Sequence, residues 1–301
     1  MQENRKSIIY ATMAVLSWST VATMFKVTLK YYTHFEMLLV ASITALIIFT
    51  LVISFQKKWK QLRVMDAKQW GKFALIGLLN PTLYYLVLFK AYDLLPAQIA
   101  QPLNYSWPII LLVLLAVFMR QPIPKVKYIG MALSLIGVCL ISIGSGAISY
   151  EELPITGILL ALLSALLWAS YWIINRMNKQ IDFIIALFVA FLFGSIYLLI
   201  GSLFVETNLG SQSGFLSAMY VGAFEMGIPF IFFGLAIRKT TNPPLINQMC
   251  YLSPFLSLFF IHLVLGETIY ATTYTGLFLI VLGIIFNEYL AKYFQKKGTA
   301  I

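Results

Sequence analysis

Ten apolar stretches divide the chain, at 7–29, 34–55, 69–91, 96–119, 126–145, 154–176, 183–205, 214–237, 243–265 and 272–293. Each is close to the ~20 apolar residues a helix needs to cross a hydrocarbon core of ~30 Å, so each predicts a membrane-spanning helix. The alternation of polar and apolar residues that marks a transmembrane barrel strand is absent. Charges, prolines or glycines bound every stretch, and the connections are short. The longest, QKKWKQLRVMDAK after the second stretch, leaves no room for a domain outside the membrane.

Composition agrees with this pattern. Hydrophobic residues make up 60% of the chain, mean hydropathy is +0.87, and only 11% of residues are charged. Soluble domains typically carry about 25% charged residues. A net charge of +10 would suggest an anionic partner such as nucleic acid in a soluble protein, but here it sits in short loops. Alternate loops, counted with the N-terminal one, collect 18 of the 21 lysines and arginines. The positive-inside bias therefore places both termini in the cytoplasm. The opening MQENRKSIIYATMAVLSWST has an apolar run too long for a signal peptide and no small-residue cleavage site, so it is expected to be the first membrane helix.

The second half echoes the first. At an offset of 146, Tyr105, Pro108, Tyr128, Gly130 and Gly137 fall on Tyr251, Pro254, Tyr274, Gly276 and Gly283. At an offset of 150, Trp18 falls on Trp168 and Lys26 on Arg176. Five spans per half is an odd number, so the halves must insert with opposite orientation. The expected fold is an all-α integral membrane protein, with ten transmembrane helices arranged as two inverted five-helix repeats. Residues 1–147 and 148–301 form the two repeats of a single membrane domain. Inverted repeats that share a site at mid-membrane recur in secondary transporters.

Several polar residues lie where lipid would not accept them. Glu225 sits near the middle of SAMYVGAFEMGIPFIFFGLAIRK, where an ionised carboxylate costs about 3 kcal/mol or more. It is read as a proton acceptor or a partner for a cationic substrate group, against structural pairing, for instance with Lys90. The 146 offset sets Glu225 on Leu79, next to Asn80 and Pro81. Asn80 is a cavity residue or a packing amide.

Gln98, Gln101, Tyr105 and Pro108 share one helical stripe, as do Asn247, Tyr251, Pro254 and His262, with Gln248 on its edge. Two such stripes are expected to line a substrate path, the alternative being hydrogen bonds between helices. Pro81, Pro108, Pro229 and Pro254 are expected helix breaks. Trp18 and Trp168 either stack on a substrate or fill the seam between the halves. His262 is a proton-coupling candidate or an ordinary helix residue. Lys26 and Arg176 are read as charges snorkelling to the interface, and Lys90 with Asp93 as a pair or cap at a helix end. Cys139 and Cys250 are read as small buried hydrophobes. No nucleotide loop, metal spacing or hydrolase motif is present, so neither a cofactor, a metal nor an enzymatic activity is expected.

The Trp-containing openings LSWSTVATMFK and LLWASYWIINR carry a family resemblance. So do Ala97–Pro108 after KAYDLLP, LGE at 265–267, and the Tyr-x-Gly…Gly last span of each half. With these the chain resembles the EamA type of the drug/metabolite transporter superfamily, with ten helices in a duplicated five-helix unit. Two positions depart from that pattern: the first half has Arg120 and Gln121 where an acid ends the fourth helix, and Glu36 stands where an arginine is common. The resemblance implies a secondary transporter that exports small metabolites, amino acids or related compounds. It would work by alternating access across a bacterial inner membrane, with protons as candidate coupling ion and no nucleic-acid partner. An uncoupled facilitator is the alternative.

Overall fold

The computed structural model describes residues 2–95, 97–118, 126–143, 154–177, 181–265 and 271–287, together with Arg120 and Pro124. Among these residues every regular element is helical. In chain order they are α1 (Gln2–Thr28), α2 (His34–Phe55), α3 (Lys60–Arg63), α4 (Ala67–Gly77), α5 (Tyr84–Leu94), α6 (Ala97–Asn104), α7 (Trp107–Phe118) and α8 (Val126–Ile143). The second half contributes α9 (Ile155–Met177), α10 (Phe183–Gly201), α11 (Gln212–Val221), α12 (Ile228–Lys239), α13 (Pro243–Met249), α14 (Leu252–Leu265) and α15 (Ala271–Ile285). Among the described residues, seven helical runs are long and apolar enough to cross a membrane, and three shorter apolar helices lie at Trp107–Phe118, Val126–Leu140 and Tyr274–Ile285. The chain is thus a multi-pass membrane protein.

Local chemistry sets where the helices start. Thr33 and Glu36 form a capping box for α2: the Glu36 backbone N–H donates to Thr33 Oγ1 at 3.3 Å, and the Thr33 N–H donates to the Glu36 carboxylate at 2.7 Å. Asp66 and Gln69 do the same for α4, and Asp182 caps α10.

The prolines mark the breaks. Pro108 and Pro229 are the second residues of α7 and α12, and Pro254 is the third of α14. In the first turn the N–H that proline lacks would have no helical partner anyway. The fourth stretch is therefore two helices, α6 and α7, and the ninth is α13 and α14. The third and eighth stretches are interrupted by wide turns, Leu78–Leu83 between α4 and α5 and Gly222–Gly227 between α11 and α12. In the first of these Asn80 has extended backbone (φ −148, ψ 122) and Pro81 follows.

Contacts between the halves come in reciprocal pairs. Helix α1 packs on α12, α13 and α14, and its counterpart α9 packs on α5, α6 and α7. Helices α8 and α15 run antiparallel: a Cβ placed on Gly283 would sit 2.4 Å from the Gly130 carbonyl, and one on Gly137 would sit 2.5 Å from that of Gly276. Gly130 corresponds to Gly276 and Gly137 to Gly283, so the contact has a local twofold axis.

Helices α2 and α10 cross in the same manner. Ser42 and Ser195 hydroxyls are 3.1 Å apart, and the Phe49 and Phe191 rings are 5.0 Å apart. Their ends are tied to opposite loops. Glu36 accepts the Asn208 N–H beyond α10, and Asp182 holds Lys58 beyond α2 at 2.7 Å.

Gly77 lies against the Ala190 carbonyl of α10, and Gly222 against the Ala41 carbonyl of α2. These two glycines, 145 apart, fix the equivalence of the wide turns. Glu225 therefore corresponds to Asn80 and not to Leu79. The offset of 146 was one residue out because no motif inside the third stretch anchors it.

Candidate functional site

A cavity opens where α1, α5, α9 and three helix breaks converge. Helix α1 turns Trp18, Val21, Ala22 and Phe25 to it, and α5 turns Tyr84, Leu88 and Tyr92, each set at the three- or four-residue spacing of one helix face. The α6–α7 break adds Gln101, Asn104, Tyr105 and Trp107. Helix α9 adds Trp168, the eighth stretch Glu225, and the α13–α14 break Cys250.

Glu225 is only 7% exposed and is held at two points. The Tyr85 hydroxyl donates to its Oε1 at 3.1 Å. Its backbone carbonyl would ordinarily accept from the residue four positions on, but that residue is Pro229, which has no N–H. Trp18 Nε1–H donates to this carbonyl instead, at 3.1 Å. The equivalent problem in the first half, where Pro81 cannot serve the Gly77 carbonyl, is met by the Thr82 hydroxyl at 3.0 Å.

Aromatic rings wall the rest. Trp168 sits among Tyr84 at 4.6 Å, Phe230 at 5.2 Å, and Trp18 and Trp107 each at 6.2 Å between ring centroids. Asn104 is oriented by donating to the Ser164 hydroxyl of α9 at 2.9 Å.

Of the residues singled out from the sequence, Trp18, Gln101, Tyr105, Trp168 and Glu225 meet at this cavity. Asn80, Asn247 and Tyr251 do not line it; they are wholly buried, and their side-chain polar atoms have no hydrogen-bond partner. Gln248 joins helices: its amide donates to the Gly130 carbonyl at 3.1 Å and Ser134 at 2.8 Å, and its carbonyl accepts from Asn287 at 2.9 Å. His262 is exposed on α14. The side chains of Gln98 and Arg176, and Glu267 altogether, lie outside the described residues.

Lys90 pairs with Asp93 at 2.7 Å rather than with Glu225. Glu36 belongs to a helix cap and a loop tie, away from the cavity. Cys250 is buried as expected, yet it stands at the cavity wall. Tyr84, Tyr92, Asn104 and Trp107 were not singled out. The four-residue periodicity of Tyr84, Leu88 and Tyr92 was the available signal, masked by the apolar residues around it.

A model of the EamA-like transporter family matches residues 5–143 and again 155–289. The chain is 29% identical over 211 residues to "Uncharacterized transporter YdfC" of Bacillus subtilis (strain 168), covering 69% of this chain and 67% of that one. It is 25% identical over 237 residues to "Uncharacterized transporter YvbV" of the same organism, covering 77% and 75%. A Clostridium kluyveri transporter is 26% identical over 261 residues, covering 83% and 82%. One solved crystal structure superposes with a TM-score of 0.79 over 95% of this chain and 98% of the other at 20% identity, a likeness of fold. Two matched stretches spanning most of the chain identify it as a member of the EamA-like transporter family, within the drug/metabolite transporter superfamily, moving a small-molecule substrate through a lipid bilayer.

Proposed function

We propose that the chain is a secondary exporter of small metabolites, amino acids or related compounds, in the bacterial inner membrane. It has two inverted five-helix repeats, 1–147 and 148–301, and both termini are cytoplasmic. It works by alternating access, and Glu225 exchanges a proton for a group on the cargo. The bacterial relatives and the loop charge bias support the location and orientation.

The observation that carries alternating access is a correspondence between an open half and a closed half. The cavity is lined by Ala22, Gln101, Tyr105 and Glu225. Their repeat equivalents are Trp172, Asn247, Tyr251 and Asn80. All four are buried, and six of their side-chain polar atoms have no hydrogen-bond partner. Leaving a buried polar atom unpaired costs about 1–3 kcal/mol. A patch of such atoms is best accounted for as the lining of a second half-cavity, wetted when the first one closes. Amides and tyrosines at these depths then serve one path from its two openings.

Coupling is assigned to Glu225 because, among the described residues, it is the only carboxylate lining the cavity. Its titratable neighbours are tyrosines, Tyr84, Tyr85, Tyr92 and Tyr105, and no lysine, arginine or histidine lines the cavity among the described residues. The test is counterflow and gradient-driven flux in proteoliposomes. Wild type is expected to respond to an imposed pH gradient, and Glu225→Gln to keep exchange at saturating substrate while losing that response. A full, pH-dependent coupling ratio in the variant would remove the proton role. Wild-type flux that ignores the gradient would make the chain a facilitator.

A further inference from the structure

We infer that, within the small metabolites proposed above, the cavity selects amines and other small organic cations in preference to the amino acids themselves, favouring cations that carry an apolar or aromatic group. This rests on reading the cavity as the transport site and names the substrate class it takes. Three features carry the inference.

The first is charge. The described lining holds one carboxylate, Glu225, and no cationic side chain. An amino acid brings a carboxylate as well as an ammonium, and burying an ion without a counter-charge is costly. An amine brings only the half that Glu225 can match.

The second is that the α7 N-terminus at the cavity wall offers an anion few free N–H groups. Helix N-termini commonly bind carboxylates through free N–H groups. The α7 N-terminus lies at the cavity wall, but Pro108 has no N–H, and the Ile109 and Ile110 N–H groups both donate to the Ser106 carbonyl. Most of the donors an anion would need there are absent or already used.

The third is the wall itself. Seven of the lining side chains are aromatic, contributed by α1, α5, the α6–α7 break and α9. Aromatic faces attract ammonium groups, most strongly where water is excluded, and the same rings supply dispersion contacts for an apolar substituent. A buried acid beside Trp18, Tyr84, Tyr105 and Trp168 thus offers both parts of a site for a cation with an apolar body.

The test compares three probes of similar size on the purified full-length protein: phenethylamine, phenyltrimethylammonium and phenylalanine. Affinity is read by calorimetry and thermal shift. Both cations are expected to bind about tenfold or more tightly than phenylalanine, the difference expected from an ion pair and ring contacts that the zwitterion offsets with an unmatched carboxylate. Glu225→Gln is expected to weaken phenethylamine by about tenfold while leaving phenylalanine nearly unchanged.

Phenylalanine binding as tight as phenethylamine would overturn the inference, and this wild-type ranking does not depend on any variant folding. Equal loss of all three probes in Glu225→Gln would also count against it. Counterflow of the same probes in proteoliposomes separates this inference from the transport reading. Exchange of phenylalanine but not of the cations sinks the substrate class alone. Ranked binding of the cations with no exchange of any probe sinks transport and leaves the selectivity of the site standing.

Discussion

At the scale of single residues, Glu225 was legible because an acid in a long apolar run has few reasons to be there. What holds it was not. Tyr85 and Trp18 lie 140 and 207 positions away, and no local pattern announces either partner. The role of Trp18 follows from a missing N–H at Pro229, a consequence that appears only once the two helices are adjacent. Replacing Trp18 by Phe keeps most of the ring contact with Phe233 at 5.2 Å but removes the donor to the Glu225 carbonyl. The expected result is a loss of about 1–3 kcal/mol, read as a lower thermal midpoint in detergent. Restoring a backbone donor with Trp18→Phe plus Pro229→Ala should recover part of it. No change in the single variant would mean that the carbonyl finds another partner.

Helical runs were readable from hydropathy, and their breaks from the prolines, because a helix accommodates proline without loss only in its first turn. Which helices pack together was less readable. Gly130, Gly137, Gly276 and Gly283 were visible as repeats, but not that each faces the other's equivalent across α8 and α15. The one-residue error in matching the third and eighth stretches has the same origin: Gly77 and Gly222 reveal their equivalence only through the carbonyls they touch.

These glycines differ in what a methyl group would meet. A Cβ on Gly283 falls 2.4 Å from both the Gly130 carbonyl and the Ser134 hydroxyl, while a Cβ on Gly71 meets nothing within 4 Å. Gly283→Ala is expected to destabilise by about 1–3 kcal/mol through overpacking. Gly71→Ala, inside α4, should stabilise by about 0.5–1 kcal/mol through helix propensity. Thermal unfolding of both variants checks the pair, and equal effects would refute the packing described for α8 and α15.

At the scale of the whole molecule, the two polar stripes separate: Gln101 and Tyr105 stand at the cavity, while Asn247 and Tyr251 are sealed among their neighbours. The sequence treats Gln101 and Asn247 alike, since both are amides at matching positions of a repeat. Only the packed structure distinguishes a residue at a cavity from one sealed among its neighbours. Under the proposed alternating access the two would be complementary. In a Cys139→Ser, Cys250→Ser background, Gln101→Cys is expected to react with a membrane-impermeant maleimide from one face of the membrane. Asn247→Cys is expected to react from the other, and only during turnover. Vesicles of both orientations give the measurement, and labelling of both sites from a single face would rule out the two-sided path.

The crossing of α8 and α15 has a consequence of a genetic kind. A contact with a twofold axis through it is one that two identical polypeptides make with each other. Two copies under that constraint must carry every side chain in duplicate. Gln248, bridging to Gly130 and Ser134 and clasped by Asn287, appears on one side of the joint only: its counterpart positions hold Pro102 and Ile141. The same holds for Glu225 opposite Asn80. Joining both halves in one reading frame releases them from sharing a sequence, and this chain has used that freedom to place its acid on one side alone.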